Sequence, residues 1–455
     1  MRTVPAKPWL PAPAPTLTFT NATLIDPEAA KTIPNCCIRV ENGLIAEITT
    51  ESPSTQTSTT INLRGLYVCP GLIDCHVHIT ATPGGTSLND MFAASQTSLT
   101  LRSAYVAREM LLRGFTTARD TGGADASLRD AIAEGLIPGP RLFIAGKALS
   151  QTGGHGDPRP SYLHASGSDE AGGKCCGGHA LARVCDGVPA CLAAVRDELR
   201  QGADFIKIMV GGGVASPSDT LAMVQFTPEE IAAITRTAGY SGKYVTAHAY
   251  TAAAIRHAVE NGVAGIEHGN FIDAETARFC ASLGVSVTPT LVTYRGMATA
   301  PFKRFLDLDG RAKNEAVLEG GIGALRILRD AGVNMCFGSD LLGGLHGLQN
   351  GEFGIRAGVL GAEEILRSAT VNGARVLGME GRLGVIKQGA IADLLVLRRN
   401  PLEDIGVLDQ IEENMVGLLK DGRVVMWKHG EGQAGGRLAV DELYDPCRVQ
   451  QRDYM

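Results

Sequence analysis

Four histidines, one lysine and one aspartate each lie at or near the C-terminal end of a short apolar run. They are His76, His78, Lys207, His248, His268 and Asp340. Imidazole and carboxylate groups are ligands that suit zinc and similar divalent cations. Because alternate residues of a strand face the same side, the spacing of His76 and His78 directs both rings toward one point. The pattern predicts a metal site built from several strand ends, although any one of these histidines alone would equally suit a buried structural role.

Strand-like and helix-like segments alternate between residues 69 and 384, which is typical of a parallel sheet with helical crossovers. Candidate strands begin near Val68, Phe115, Arg141, Asp204, Lys243, Gly265, Val285 and Val333. In a (β/α)8 barrel the C-terminal strand ends converge on one face and carry the active site. We therefore predict the α/β class, with a (β/α)8 TIM barrel at residues 69–384 that gathers the six side chains in one cup.

The two ends of the chain have a different, all-β pattern. Short strand segments occur at 17–25, 37–40 and 44–48 near one end, and at 392–397 and 416–419 near the other. Asn42-Gly43 is a hairpin turn signal. We predict one discontinuous β-sandwich, made from an N-terminal part with its Pro-rich arm (1–68) and a C-terminal part with its tail (385–455).

Residues 150 to 190 are irregular, and long irregular segments in a compact domain are usually functional. We interpret them as a lid over the barrel mouth. The Cys-rich insertion 172–191 contains four cysteines and a histidine: Cys175, Cys176, His179, Cys185 and Cys191. Their spacing matches no standard zinc finger, so a second, structural zinc stays an alternative to a plain insertion loop.

Composition excludes several classes of protein. The 455 residues are 44% hydrophobic and 20% charged, as in an ordinary globular enzyme. A net charge of -6 without a basic stripe argues against a nucleic-acid partner. No run of about 18 apolar residues is present, so we expect no membrane span. Eleven cysteines, with no secretory signal at the N-terminus, predict reduced thiols in a cytoplasmic protein.

Lys207 lies between apolar residues, Phe205 and Ile206 before it and Ile208 and Met209 after it. Burial disfavours the charged ammonium group, so we expect a lowered pKa for this lysine. A neutral amine can react with CO2. An ordinary lysine that extends its ammonium group to the surface is the alternative.

These segments resemble the amidohydrolase superfamily in its binuclear metal subtype. The resemblance covers residues 68 to 345 with the flanking β segments, and four runs are similar to prolidase-like members, which include Xaa-Pro dipeptidases and ochratoxinase. The runs are 151–156, 207–214, 246–250 and 266–269. The resemblance implies a metal-dependent hydrolase that cleaves an amide bond in a peptide-like or N-acyl amino acid substrate. It also implies a small-molecule substrate as the partner and a homo-oligomer.

The resemblance also implies the composition of the metal centre. Lys207 would be carboxylated by CO2 (N6-carboxylysine), and its carbamate would bridge two divalent cations, with zinc as the first choice. A bridging hydroxide would attack the amide, and Asp340 would ligate one cation and act as acid and base. From the residues alone, Asp340 could instead cap a helix after the eighth strand.

Three further residues are candidates for substrate contact. By the resemblance, Tyr250 would hydrogen-bond the scissile carbonyl and stabilise the developing oxyanion; packing of its ring under the lid is the alternative. His155 lies in a glycine-flanked loop, where it could contact the substrate or a carboxylate behind the ligands, or have only a structural role. Arg295 follows the seventh predicted strand, where its guanidinium could pair with a substrate α-carboxylate or remain solvated on the surface.

Other activities of the superfamily remain as alternatives. Its deaminases lack the bridging lysine and carry a glutamate shortly after the histidine of the fifth strand. Here Lys207 is present, and Ala249, Tyr250 and Thr251 follow His248. The sequence therefore favours amide hydrolysis over deamination, with cyclic amide or lactone hydrolysis still open. A non-catalytic scaffold is disfavoured because all six ligands are retained.

Overall fold

The computed structural model describes residues 7–51, 59–85, 94–157, 159, 181–216 and 219–428. Strands from both ends of the chain pair in one eight-stranded sheet, in the order β17-β16-β15-β5-β1-β2-β3, with β4 paired to β1. Its strands are β1 (Leu17–Asp26), β2 (Lys31–Glu41), β3 (Leu44–Thr49), β4 (Thr60–Asn62), β5 (Tyr67–Pro70), β15 (Leu394–Leu397), β16 (Met415–Lys420) and β17 (Arg423–Trp427). Val68 of β5 pairs antiparallel with Val396 of β15, so this pair of strands joins the two ends.

The hairpin between β2 and β3 is confirmed at the predicted turn. Asn42 and Gly43 have φ angles of 51° and 81°, the left-handed region that a two-residue hairpin turn requires. Side chains from both chain ends, among them Phe19 and Val396, then form a buried cluster of their own beside this sheet. Burial of apolar surface therefore holds the two ends together.

Nine strands of the described residues run parallel in two further sheets, of order β6-β7-β8 and β10-β9-β11-β12-β13-β14. They are β6 (Leu72–Val77), β7 (Phe115–Asp120), β8 (Arg141–Ile144), β9 (Ala148–Ser150), β10 (Ala182–Val184), β11 (Ile206–Met209), β12 (Val245–Thr251), β13 (Gly265–Phe271) and β14 (Ser286–Thr288). Backbone hydrogen bonds link the two sheets through residues 336 and 337: Cys336 N–H donates to Val287 O (2.9 Å), and Cys75 N–H donates to Phe337 O (2.8 Å).

The first and the eighth predicted strand differ from the structure. Val68 belongs to the sheet of the chain ends, and the first parallel strand begins only after Gly71, where the chain passes from one sheet to the other. A Cβ on Gly71 would lie 2.1 Å from Thr116 Oγ1, so the close approach at this crossing requires glycine. The eighth predicted strand is reduced to a parallel bridge between Met335 and Val287.

Helices fill most connections between the parallel strands. The α-helices of the described residues are α1 (Gln96–Leu112), α2 (Ala126–Ala133), α3 (Gly187–Arg200), α4 (Pro228–Tyr240), α5 (Ala252–Glu260), α6 (Ala274–Ser282), α7 (Leu291–Ala298), α8 (Leu308–Asp330), α9 (Gly351–Ala357), α10 (Ala362–Ser368), α11 (Val371–Val376), α12 (Gly406–Asp409) and α13 (Ile411–Asn414). Two 3-10 helices are Phe302–Arg304 and Gly343–Leu348. No helix in these described ranges is long and apolar enough to cross a membrane.

The start of α4 is fixed by residues of its own first turn. The Thr227 hydroxyl accepts a hydrogen bond from Glu230 N–H, and the Glu230 carboxylate accepts one from Thr227 N–H, with Pro228 in the first turn. This reciprocal capping satisfies two amide groups that the helix itself leaves unpaired. Local sequence therefore determines where the helix after β11 begins.

The predicted lid is more ordered at its ends than the sequence indicated. β9 and β10 pair in parallel, and α3 begins at Gly187. Cys175, Cys176 and His179 lie outside the described residues. Cys185 and Cys191 are buried, with their Sγ atoms 3.9 Å apart. The structural-zinc alternative therefore stays a hypothesis.

Candidate active site

One cavity of about 570 Å³ lies at the carboxyl ends of the parallel strands, and all six candidate metal ligands line it. They are His76, His78, Lys207, His248, His268 and Asp340. Four strands, β6, β11, β12 and β13, carry or directly precede five of them. Asp340 follows the bridged segment at Met335. The fold therefore brings together the side chains that the sequence placed at separate strand ends.

The centre of this cavity is a cluster of His76, His268 and Asp340, each of which offers one ligand atom within 4.8 Å of the others. The Asp340 Oδ1 atom lies 3.3 Å from His76 Nε2 and 3.2 Å from His78 Nε2. The rings of His248 and His268 are 4.7 Å apart between centroids. Imidazole nitrogens and a carboxylate at this spacing fit a divalent cation of the zinc type.

Protonation states in the cluster also suit metal ligands. Burial lowers the pKa of His248 and of His268 well below the usual range, and neighbouring groups that carry positive charge lower it further. Burial alone would raise the pKa of Asp340, but the surrounding histidines, His76 first, bring it well below its usual range. Neutral imidazoles and an ionised carboxylate are the forms that bind a cation.

Lys207 is buried, as the sequence predicted. Burial lowers its pKa to about 8, although Glu267 and Asp340 act in the opposite direction. Its Nζ forms no hydrogen bond with any residue that the structure describes. A lysine with this pKa has far more neutral, nucleophilic amine near neutral pH than an exposed lysine. The surface-lysine alternative is therefore wrong for this position.

Two of the candidate ligands have an unusual backbone conformation. His268 and Asp340 have φ angles of 75° and 52°, in the left-handed region. For residues other than glycine this conformation costs on the order of 1–3 kcal/mol and persists only where the surroundings impose it. Asp340 N–H donates to His76 O at 2.9 Å, which holds the aspartate beside the strand that carries the two histidines.

A buried ion pair lies directly behind His76. Its Nδ1 is 2.7 Å from Glu267 Oε2, and Glu267 Oε1 accepts a bond from Arg119 Nη2 at 2.6 Å. The Thr246 hydroxyl also donates to Glu267. These contacts direct Nε2 of His76 into the cavity, which is the usual arrangement behind a ligating histidine. The sequence interpretation missed Glu267 and Arg119, although a charge inside an apolar strand segment indicates a buried partner.

Tyr250 is buried at the wall of the cavity, and its hydroxyl lies 3.0 Å from that of Tyr294. The Tyr294 hydroxyl lies 3.2 Å from His268 Nδ1. Burial raises the pKa of Tyr250 far above its usual range, so its phenol stays protonated and able to donate. Tyr294, which the sequence interpretation passed over, thus connects Tyr250 to a candidate metal ligand.

Arg295 does not line this cavity, and its exposed side chain agrees with the surface alternative that the sequence left open. A helix turns by about 100° per residue. Tyr294 of α7 therefore faces the metal-ligand candidates, while the next side chain, Arg295, is exposed and lines a separate depression together with Asp409. The rotation between successive residues of a helix, which strand spacing does not predict, therefore places Tyr294 and not Arg295 at the cavity.

His155 lines the cavity and stacks on His248, with ring centroids 4.2 Å apart and planes inclined by 23°. Its Nδ1 lies 2.9 Å from Ser216 Oγ, and the Ser216 hydroxyl donates to the buried Asp219 carboxylate. Its own backbone N–H donates to Gln225 Oε1 at 3.0 Å. The ring is thus held at the cavity, and Ser216 connects it to the Asp219 carboxylate behind it. Contact of His155 with a substrate stays a prediction.

Similarity to known proteins agrees with this geometry. Residues 67–427 match the model of the Amidohydrolase family. The chain belongs to the amidohydrolase family. Hydrolysis of C–N bonds is the activity class that this membership and its relatives indicate, and the resemblance that the sequence showed is confirmed.

Individual relatives of this amidohydrolase are prolidase-like. Ochratoxinase of Aspergillus niger is 30% identical over 420 residues, which are 87% of this chain and 84% of the relative. A prolidase crystallised with N-methylphosphonate-L-proline is 43% identical, with a TM-score of 0.86 over 90% of this chain and 100% of its own. A Xaa-Pro dipeptidase with bound methionine is 31% identical, with a TM-score of 0.80 over 90% of this chain and 99% of its own. These relatives thus support both the amidohydrolase fold and the prolidase-like assignment.

Proposed function

We propose that this amidohydrolase cleaves the amide bond of a dipeptide or an N-acyl amino acid and releases an amino acid. The observation that carries the proposal is the convergence of four histidines, Lys207 and Asp340 on one cavity. Relatives named prolidase, Xaa-Pro dipeptidase and ochratoxinase support a peptide-like substrate.

We propose that two divalent cations, with zinc as the first choice, bind these six groups. Lys207 would take part as a carbamate formed with CO2 (N6-carboxylysine), because its burial favours the neutral amine that reacts with CO2. The spacing of His76, His268 and Asp340 supports a cation at this place. Bound cations would supply a water of lowered pKa and would polarise the amide carbonyl.

Asp340 is proposed as the group that holds and moves the proton. Its carboxylate is ionised in the cluster, since the neighbouring histidines lower its pKa. An ionised Oδ can accept a proton from the attacking water and then donate it to the leaving amine. The contact of Oδ1 with both His76 and His78 would keep this oxygen within reach of the reacting atoms.

Tyr250 is proposed to donate a hydrogen bond to the substrate carbonyl oxygen as negative charge develops there. Its raised pKa keeps the proton on the phenol, and its contact with Tyr294 fixes the hydroxyl. A fixed donor in a buried site is an effective form of transition-state stabilisation. His155 is proposed as a further substrate contact, because its position in the cavity is fixed by Ser216.

Deamination and lactone hydrolysis are the alternative activities. A deaminase would carry a glutamate shortly after the histidine of β12, where this chain has Ala249 and Tyr250. Lys207 at the cavity also argues against deamination. Cyclic amides and lactones would use the same groups, and only substrate tests distinguish them from open-chain amides.

The architecture proposed for this chain is a closed (β/α)8 barrel over residues 69–384 with a β-sandwich formed by 1–68 and 385–455. Backbone bonds between the two parallel sheets support closure: Asp204 N–H donates to Ile144 O at 2.7 Å on one side, and Cys75 donates to Phe337 on the other. We also propose a cytoplasmic homo-oligomer, in line with the cysteine usage and the resemblance described above.

The decisive experiment is a hydrolysis assay with zinc-loaded protein on a panel of N-acyl amino acids and Xaa-linked dipeptides. Release of an amino acid from at least one member, together with about two zinc ions per chain by metal analysis, is the expected result. Release of ammonia from a heteroaromatic amine, with no amidase activity on the panel, would overturn the proposal. Lactone substrates in the same assay test the remaining alternative.

A further inference from the structure

Two arginines line the cavity together with the candidate metal ligands. Arg304 ends the 3-10 helix that follows α7, and Arg311 lies in the first turns of α8. Within the described ranges of the chain neither guanidinium forms an ion pair, and Arg304 also lacks a hydrogen bond. The cavity therefore has cationic groups on its wall that no described carboxylate neutralises.

Arg311 is held in one orientation. Its Nε donates to Leu306 O at 3.1 Å, which leaves both terminal nitrogens of the guanidinium without a described acceptor. The neighbouring carboxylate, Asp307, caps the helix by accepting a bond from Gly310 N–H at 2.8 Å. A guanidinium with two free terminal nitrogens matches the two oxygens of a carboxylate.

The segment that carries these arginines is attached to the loop after β11, the strand of Lys207. Lys313 Nζ donates to Asp219 O at 2.9 Å. A Cβ on Gly310 would lie 3.2 Å from Val214 O, so the two backbones approach closely. These two contacts thus fix the start of α8, which carries Arg311, against the loop that follows the strand of Lys207.

The other charged groups of the cavity wall already have partners or roles. Asp157 pairs with Arg159 at 2.7 Å, while Lys207 and Asp340 belong to the proposed metal centre. Apolar side chains lie next to the arginines, namely Met297, Phe305 and Leu306. The cavity thus offers positive charge beside an apolar surface, which suits the carboxylate and the side chain of one amino acid.

We propose that Arg311, assisted by Arg304, binds a carboxylate of the substrate, so that the enzyme selects amides with a free carboxylate next to an apolar group. This inference rests on the proposed amide hydrolysis and names its substrate class. It assigns to Arg311 the recognition role that the sequence offered as one alternative for Arg295, which lines a separate depression. No step of bond cleavage depends on either arginine.

The test compares each substrate as its free acid and as its carboxamide. N-acetyl-L-phenylalanine, N-acetyl-L-leucine and L-alanyl-L-proline form three such pairs, assayed with zinc-loaded wild-type protein, Arg311→Gln and Arg304→Gln. For at least one pair we expect wild type to prefer the acid in kcat/KM, and Arg311→Gln to reduce that preference about 10- to 100-fold, as for a lost hydrogen bond to a charged group. The rate on the carboxamide should stay within about twofold of wild type.

A matched control is Arg326→Gln, because Arg326 is an exposed arginine of the same helix that does not line the cavity. It should keep the wild-type preference. An equal loss on acid and carboxamide in Arg311→Gln, or an unchanged preference in both cavity variants, overturns the inference.

If wild type hydrolyses no member of the panel, the proposed function fails by itself. Calorimetric binding of the same acid and amide pairs then decides the carboxylate site. Tighter binding of an acid that is lost in Arg311→Gln supports the site, whereas equal binding of acid and amide, or no binding of either, refutes it.

Discussion

Replacement of Glu267 by Gln tests whether the buried pair behind His76 supports both the fold and the metal site. Glu267 and Arg119 are 0% and 1% exposed, and the carboxylate accepts bonds from His76, Arg119 and Thr246. Glutamine has the same shape, but it carries no charge and turns one acceptor into a donor. The variant therefore leaves the Arg119 guanidinium buried without its counter-charge.

Two effects of different origin follow from Glu267→Gln. Loss of one partner of a buried ion pair costs about 3–5 kcal/mol in the free energy of unfolding. Loss of the carboxylate behind a ligating histidine weakens metal affinity by about 10- to 100-fold. Denaturant unfolding of metal-free protein measures the first effect, and chelator competition for zinc measures the second. Glu275→Gln is the matched control, because Glu275 is 77% exposed and its loss should change stability by less than about 1 kcal/mol.

A double variant separates the two effects. Glu267→Gln combined with Arg119→Met removes both charges, so stability should recover in part, while zinc affinity should stay low because His76 still lacks its carboxylate. Burial alone would raise the pKa of Glu267, but the Arg119 guanidinium and then His76 bring it below its usual range. The stability that this carboxylate contributes is therefore present above about pH 4 and is lost as the pH falls further. Wild-type zinc affinity in Glu267→Gln would refute the positioning role.

Three further predictions concern the proposed centre. Lys207→Ala should bind fewer cations per chain than wild type in metal analysis, and equal metal content with full activity would exclude a bridging role. Asp340→Asn should lower kcat by about 10³-fold or more, because the amide cannot accept the proton; a rate near wild type would remove it from proton transfer. Tyr250→Phe should lower kcat by about 10²- to 10³-fold at normal metal content, whereas Tyr240→Phe, a control at an 89% exposed tyrosine, should leave kcat unchanged.

The ligand-bearing strands could be predicted because their signals are local. Apolar runs that end in a ligand type are visible in the sequence, and β11, β12 and β13 begin within two residues of the predicted positions. The change from one sheet to the other at Gly71, and the reduction of the eighth strand to a bridge at Met335, could not be predicted in this way. Both depend on packing between segments that are distant in sequence. Strand spacing gave the types of the ligands, but it gave neither Tyr294 nor Arg311, because helix rotation and loop path determine which side chains reach the cavity.

Arg119 contributes to both the fold and the candidate site. From β7 its guanidinium donates to Cys75 O in β6 at 2.6 Å and to Glu267 in β13 at 2.6 Å. A third bond, of 3.3 Å, reaches Thr288 in β14. One side chain thus links strands of both parallel sheets and also holds the carboxylate that orients His76. Because a buried charge requires these partners, the network that fixes the ligand geometry also favours one arrangement of the two sheets.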